Sequence, residues 1–243
     1  MYVRHLIDKI IETNNISYDE IFETKNKVYS FINPYGYHIM RIDQSYYEQL
    51  DGLFVDGMLM CKLIRALYGH KITRRAFDNT SMATRLFSYL NEKDNKTIFF
   101  LGAKEDEVSK AVQNYMKSYP KMSIVGYNSG YFASEEERDS IIMKIINLQP
   151  DFCIVGMGAK LQEDFLIKLK GRGYNGIAFS CGGFIRQSSE KLEYFPHWVD
   201  RFNLRAFYRL YKEKGMFKRL YNVLIQFPIQ FSWDRFFGHH RIS

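Results

Sequence analysis

Cysteine is scarce in this chain. Cys61, Cys153 and Cys181 are far apart, and no two stand at a CxxC spacing. An odd, sparse set of this kind excludes a disulfide framework and points to buried free thiols in a reducing compartment. It also leaves no His/Cys cluster for structural zinc, and His239-His240 at the extreme C-terminus reads as solvated. No run of about 18 apolar residues exists, so no helix is expected to span a bilayer. The opening MYVRHLIDKIIETNN is too polar, and its apolar run too short, for a signal peptide. Internal repeats and low-complexity tracts are absent as well. Apolar mass is plentiful: 46% of the 243 residues are hydrophobic and 16% aromatic, which supports a packed core and excludes a disordered chain.

The net charge of +7 is unevenly placed. Residues 201–243 hold nine Lys/Arg against two acids, Glu213 and Asp234, and so carry all of it, while residues 1–200 sum to zero. The chain therefore divides into a neutral body, 1–200, and a basic aromatic appendage, 201–243. A basic tail seeks anions: nucleic acid, acidic lipid headgroups or a phosphorylated ligand. From about residue 202 to 227 it has helical apolar spacing, with a break at Gly215. Beyond it, Phe227, Phe231, Trp233, Phe236 and Phe237 are interleaved with bases, a pattern that suits an anionic membrane surface.

The body reads as an α/β fold. Val28 to Ile32 forms a short strand ending in an Asn33-Pro34-Tyr35-Gly36 turn, and Leu53-Phe54-Val55 a second strand ending at Asp56-Gly57. A helix from Met58 to Tyr68 stops at Gly69. Further apolar runs over 97–102, 123–127, 152–156 and 176–181 alternate with helical segments over about 105–119, 134–147 and 157–170. Continuous apolar strands alternating with helices predict a Rossmann-like, mostly parallel sheet with helices on both faces. Ligands of such sheets bind at the carboxyl ends of the strands. Asp56 falls at one such end, where a carboxylate has the chemistry of a general base, although an Asp-Gly step is also an ordinary turn. Gly102, the Gly156-Met157-Gly158 loop and Gly182-Gly183 fall at others and suit close approach to a nucleotide, although each is also an ordinary strand exit. Arg74-Arg75 is either a diphosphate clamp or a solvated pair. On these residues alone two classes remain open: an enzyme working at that sheet edge, or a non-catalytic basic module holding nucleic acid or an assembly partner.

Taken in order, FVDGMLMCKLIRALYGHKITRRAF, TIFFLGAKEDEVSKAVQNYMKSYPKMSIVGYNSGYF, PDFCIVGMGAKLQEDFL and CGGF with the basic segment after it resemble the WecG/TagA/CpsF glycosyltransferases, family 26. The resemblance spans about residues 28–220. It implies an inverting, metal-independent hexosyltransferase without a cofactor. The enzyme would move a sugar, N-acetylmannosamine or another hexose, from a UDP-sugar to a polyprenyl-diphosphate-linked sugar for cell-surface polysaccharide. It would work in the cytoplasm, peripherally attached to the inner face of the membrane, with no nucleic acid partner. By the same resemblance Asp56 is the general base, Asn33 lies near the donor sugar, Arg75 lies near the active site, and Gln162 and Glu163 lie near the donor nucleotide. Arg209 and Arg219 close over the diphosphate. The sequence departs from the family pattern at Lys160-Leu161, where Pro-Lys is usual, and at Lys214 and Met216.

Overall fold

The computed structural model of the chain describes residues 2–42, 45–190 and 221–237. Six strands form one sheet in the order β2-β1-β6-β5-β3-β4, and every neighbouring pair is parallel. They are β1 (Lys27–Ile32), β2 (Gly52–Val55), β3 (Thr97–Gly102), β4 (Ser123–Asn128), β5 (Phe152–Gly156) and β6 (Ile177–Ser180). The expected α/β architecture is therefore present, with a sheet that is wholly parallel.

Side chains alternate across this sheet, and the alternation sorts the helices. Val28, Ile32, Phe99, Leu101, Cys153, Val155 and Ala178 point to one face. There they meet α1 (Tyr2–Asn15), α3 (Pro34–Met40), α5 (Met58–Tyr68), α8 (Glu135–Leu148) and α9 (Leu161–Gly171). Tyr29, Phe54, Ile98, Phe100, Phe152, Ile154 and Phe179 point to the other. That face is covered by α2 (Tyr18–Glu23), α6 (Met82–Glu92), α7 (Glu105–Ser118) and α10 (Phe184–Glu190). A short helix, α4 (Ser45–Glu48), precedes β2. Burial on both faces is why β3 and β5 read as unbroken apolar runs. All three cysteines are buried free thiols.

The Asn33-Pro34 step is a helix start rather than the expected turn. Asn33 caps α3 by accepting a hydrogen bond from the Gly36 amide at 2.9 Å, and Pro34 takes the first helical position, where its missing N–H costs nothing.

The chain ends, among the described residues, in a π-helical turn (Asn222–Gln226) continuing into α11 (Phe227–Phe237). Phe227 and Phe231, expected with the other late aromatics at a membrane, are instead fully buried. Their rings pack against Tyr37 at centroid distances of 5.4 and 5.1 Å and join the same apolar cluster as the first sheet face. Asp234 is buried beside them, accepting from the Tyr37 hydroxyl at 2.7 Å and pairing with the Arg41 guanidinium. The rest of the expected basic helix, with Arg209 and Arg219, lies outside the described residues.

Candidate active site

Because all six strands run the same way, their carboxyl ends form one edge. The chain leaves β3 toward α7 on one face and leaves β5 toward α9 on the other. Their shared crevice is the topological switch point, where open parallel sheets bind ligands. Gly102 allows the two strand ends to meet there. It has φ +148°, and a Cβ on it would lie 2.4 Å from the Gly156 carbonyl oxygen. Gly102 and Gly156 thus serve strand-to-strand contact, whereas Gly158 and Gly182 face open space, with nothing within 4 Å of a Cβ built on either. Gly183 follows in the same open loop.

Asp56 stands at the end of β2. Its amide donates to the Ile32 carbonyl at 2.8 Å, extending the β1–β2 ladder by one step beyond Val55. This sets Asp56 beside Asn33, and the adjoining Gly57 lies against Pro34. Gly57 has φ +149°, a conformation that glycine alone adopts without strain, so the Asp-Gly step is a specific corner into α5. The Asp56 side chain remains 38% exposed, open enough to meet a substrate hydroxyl.

One arginine nitrogen holds that carboxylate. Arg74 Nη2 lies 2.9 Å from Asp56 Oδ1 and 2.7 Å from Asp78 Oδ2, and Asp78 is fixed in turn by the Thr80 amide and hydroxyl. Burial works against the Arg74 charge, but Asp56 and Asp78 outweigh it and raise the guanidinium above its ordinary value. Cys61, in the first turn of α5, has its thiol pushed up to about 11, chiefly by burial, which disfavours the thiolate. Arg75, expected near the active site, turns the other way. Its Nη1 donates to the Ile16 carbonyl at 2.7 Å and its guanidinium stacks over Tyr18 and Phe54.

Gln162 and Glu163 begin α9 and are both buried. Glu163 Oε1 accepts from the Ser30 hydroxyl at 2.7 Å and from Gln162 Nε2 at 2.8 Å, while Oε2 accepts from the Lys160 amide at 2.7 Å. A carboxylate only accepts, so the Gln162 amide must present its nitrogen to it. Its oxygen then faces the Gly182 amide, 3.1 Å away. Ser30 gives its single proton to Glu163, so Ser180, 2.8 Å from Ser30, must donate onward to Ser30. Nothing in the sequence separates Arg74 from Arg75, and a lone Ser inside an apolar strand is the one local mark that Ser30 and Ser180 carry. Lys160 is bent into φ +76°, ψ −54°, a strained backbone for a residue with a Cβ, costing about 1–3 kcal/mol.

Among the described residues no group of three His, Cys, Asp or Glu is gathered to hold a metal ion, and no helix is long and apolar enough to cross a membrane. A cavity of 380 Å³ walled by Lys25, Lys96, Pro150 and Asp151 lies at the opposite, amino end of the strands, away from all of these groups.

Residues 10–241 match the Glycosyl transferase WecG/TagA/CpsF family. The chain belongs to that family. It is a glycosyltransferase, and the strand-end groups just described are its candidate machinery. It is 33% identical over 204 residues, covering 84% of this chain and 85% of the relative, to the UDP-Gal:alpha-D-GlcNAc-diphosphoundecaprenol beta-1,4-galactosyltransferase of Shigella boydii. It is 27% identical over 199 residues, 81% of this chain and 75% of the relative, to the N-acetylglucosaminyldiphosphoundecaprenol N-acetyl-beta-D-mannosaminyltransferase of Bacillus subtilis (strain 168).

Proposed function

We propose that this transferase moves a hexose from a UDP-sugar onto the sugar of a polyprenyl-diphosphate carrier, inverting the anomeric centre without a metal. It does so at the cytoplasmic face of the membrane, in cell-surface polysaccharide synthesis. The observation that carries the reading is the Asp56 carboxylate: half open at the carboxyl end of β2, beside Asn33, and held by Arg74. The two relatives support the substrate classes: both are named for an N-acetylglucosaminyl-diphosphoundecaprenol acceptor, and the Shigella boydii enzyme also for UDP-galactose.

In this reading Asp56 takes the proton of the acceptor hydroxyl as that oxygen attacks the anomeric carbon from the side opposite UDP. The new C–O bond forms, the bond to the diphosphate breaks, and UDP carries away the electron pair. Arg74 keeps the base in one orientation. Asn33, the loops at Gly156–Lys160 and Gly182-Gly183, and the Gln162-Glu163 pair shape the donor side. Arg209 and Arg219 are assigned to the leaving diphosphate, where their charge takes the role a metal has elsewhere.

The test is UDP release from UDP-galactose, UDP-glucose, UDP-N-acetylglucosamine and UDP-N-acetylmannosamine with an N-acetylglucosaminyl-diphosphoryl lipid acceptor. Asp56→Asn is expected to lower kcat by about 10²–10⁴-fold, the usual worth of a general base, with thermal stability and UDP binding retained. An Asp56→Asn enzyme as fast as wild type removes the base from Asp56. A wild type that turns over none of the four donors removes the substrate reading.

A further inference from the structure

The Gln162-Glu163 pair sits beside the expected nucleotide, yet its polar atoms are already engaged within the protein. Glu163 is only 2% exposed, and both carboxylate oxygens are taken by protein donors. Those donors come from separate parts of the chain. Ser30 belongs to β1, the Lys160 amide belongs to the loop leaving β5, and Gln162 passes the contact on to the Gly182 amide in the loop leaving β6. Ser180, the last residue of β6, completes the set by bonding Ser30 and accepting from the Phe31 amide at 3.3 Å. A phosphate brought against this carboxylate would meet like charge, which argues against direct contact with the donor's diphosphate.

We propose that Glu163 is a positioning residue. Its buried carboxylate sets the β5 and β6 exit loops against each other and against β1, and donor affinity depends on that setting. The proposal rests on the donor being a UDP-sugar only for its binding arm. Two features make the loops need such a brace. Gly158 and Gly182 leave them with open space on either side. Lys160, whose amide Glu163 holds, is in a backbone conformation that a side-chain-bearing residue leaves readily when released. The brace acts at a distance from Asp56, which stands at the end of β2, two strands from β6. A change in Glu163 is therefore expected in donor binding and not in the chemical step.

The experiment uses the full chain carrying Glu163→Gln, with Ser30→Ala as the milder variant that removes one donor and keeps the carboxylate. Hydrogen exchange is read on peptides covering 156–163 and 181–184, with 97–102 as the internal control. UDP affinity and steady-state constants are measured alongside. Faster exchange in the two loops and unchanged exchange in β3 are expected. So are UDP binding and donor KM weakened by about tenfold in Glu163→Gln, the size of one lost hydrogen bond, with kcat and acceptor KM within about threefold. Ser30→Ala is expected to move in the same direction by a smaller factor. Weakened UDP binding with wild-type loop exchange would mean that Glu163 touches the nucleotide directly, and overturns positioning. So does a fall in kcat with donor KM unmoved, or exchange that rises equally in β3. The exchange arm needs no turnover. If wild type proves to use no UDP-sugar, the substrate reading falls and the loops still decide this proposal.

Discussion

Two arginines stand side by side after α5, and the directions their side chains take separate their roles. The Arg75 amide bonds the Val55 carbonyl at 3.0 Å, which fixes the pair beside the end of β2, and the two side chains leave in different directions. Arg74 reaches Asp56, and Arg75 reaches the ring of Tyr18. Arg74→Met is expected to lower kcat by about 10- to 100-fold, the effect of a displaced base, without loss of fold. Arg74→Lys should recover most of that, since one nitrogen of Arg74 makes both carboxylate contacts. Arg75→Met should instead leave turnover per folded molecule unchanged and cost about 1–2 kcal/mol of stability, read as a melting temperature lower by about 2–8 °C. Equal kinetic losses at both positions would refute this division. Spacing in the sequence brings both arginines to the edge but does not say which one turns inward. Asp56 was legible as a strand-end carboxylate, although its Asp-Gly step reads equally as a turn, and Asn33 as a site candidate only through the family resemblance. Ser30 and Ser180 were not, because nothing local distinguishes a buried hydroxyl that braces a carboxylate from one that fills space.

Among elements, all six strands were legible as apolar runs closed by Gly, Asn or Asp. Several helices were not. Met82, Ala83, Leu86, Phe87 and Leu90 repeat at helical spacing and are fully buried as one face of α6, yet no N-cap hydrogen bond announces its start. Leu6, Ile7 and Ile10 of α1 are spaced the same way but lie among charges that make the segment read as polar. Asp51 shows what ties such elements together at the amino edge. Its carboxylate accepts from the Val28 amide at 2.8 Å and from Lys170 at 2.7 Å, with Lys27 at 3.3 Å, linking β1, the entry to β2 and the end of α9. Burial raises its carboxyl, but Lys170, the Val28 amide and Lys27 outweigh this and leave it below its ordinary value. A carboxyl depressed on folding contributes stability above its unfolded value and loses it as pH falls through the folded one. Asp51→Asn should therefore lower the melting temperature at pH 7 by about 2–8 °C and narrow its gap to wild type in acid. A gap that stays constant down to pH 2 would show that these charges contribute nothing.

At the scale of the whole molecule, the basic C-terminal segment is only partly an appendage. Phe227, Phe231 and Asp234 fasten α11 onto α3, and Arg235 is anchored to α5 by a 3.1 Å bond to the Leu67 carbonyl and by stacking over Tyr68. Removing everything after residue 200 would strip two phenylalanines from the core, so such a truncation confounds folding with attachment. What α11 leaves outward is Ile229, Trp233, Phe236 and Phe237, each between 59% and 67% exposed. An apolar row of this size on a basic chain suits insertion at an anionic bilayer surface. Each buried aromatic contributes about 1.5–3 kcal/mol and each nearby base about 1 kcal/mol. The informative variant is Trp233→Ser with Phe236→Ser and Phe237→Ser, which changes none of the residues that dock α11. Wild type should float with vesicles containing anionic lipid and bind neutral ones far less. The triple variant should keep its melting temperature and its turnover of a short-chain soluble acceptor while losing at least tenfold in vesicle binding. Undiminished flotation of the folded triple variant would move the membrane contact away from α11.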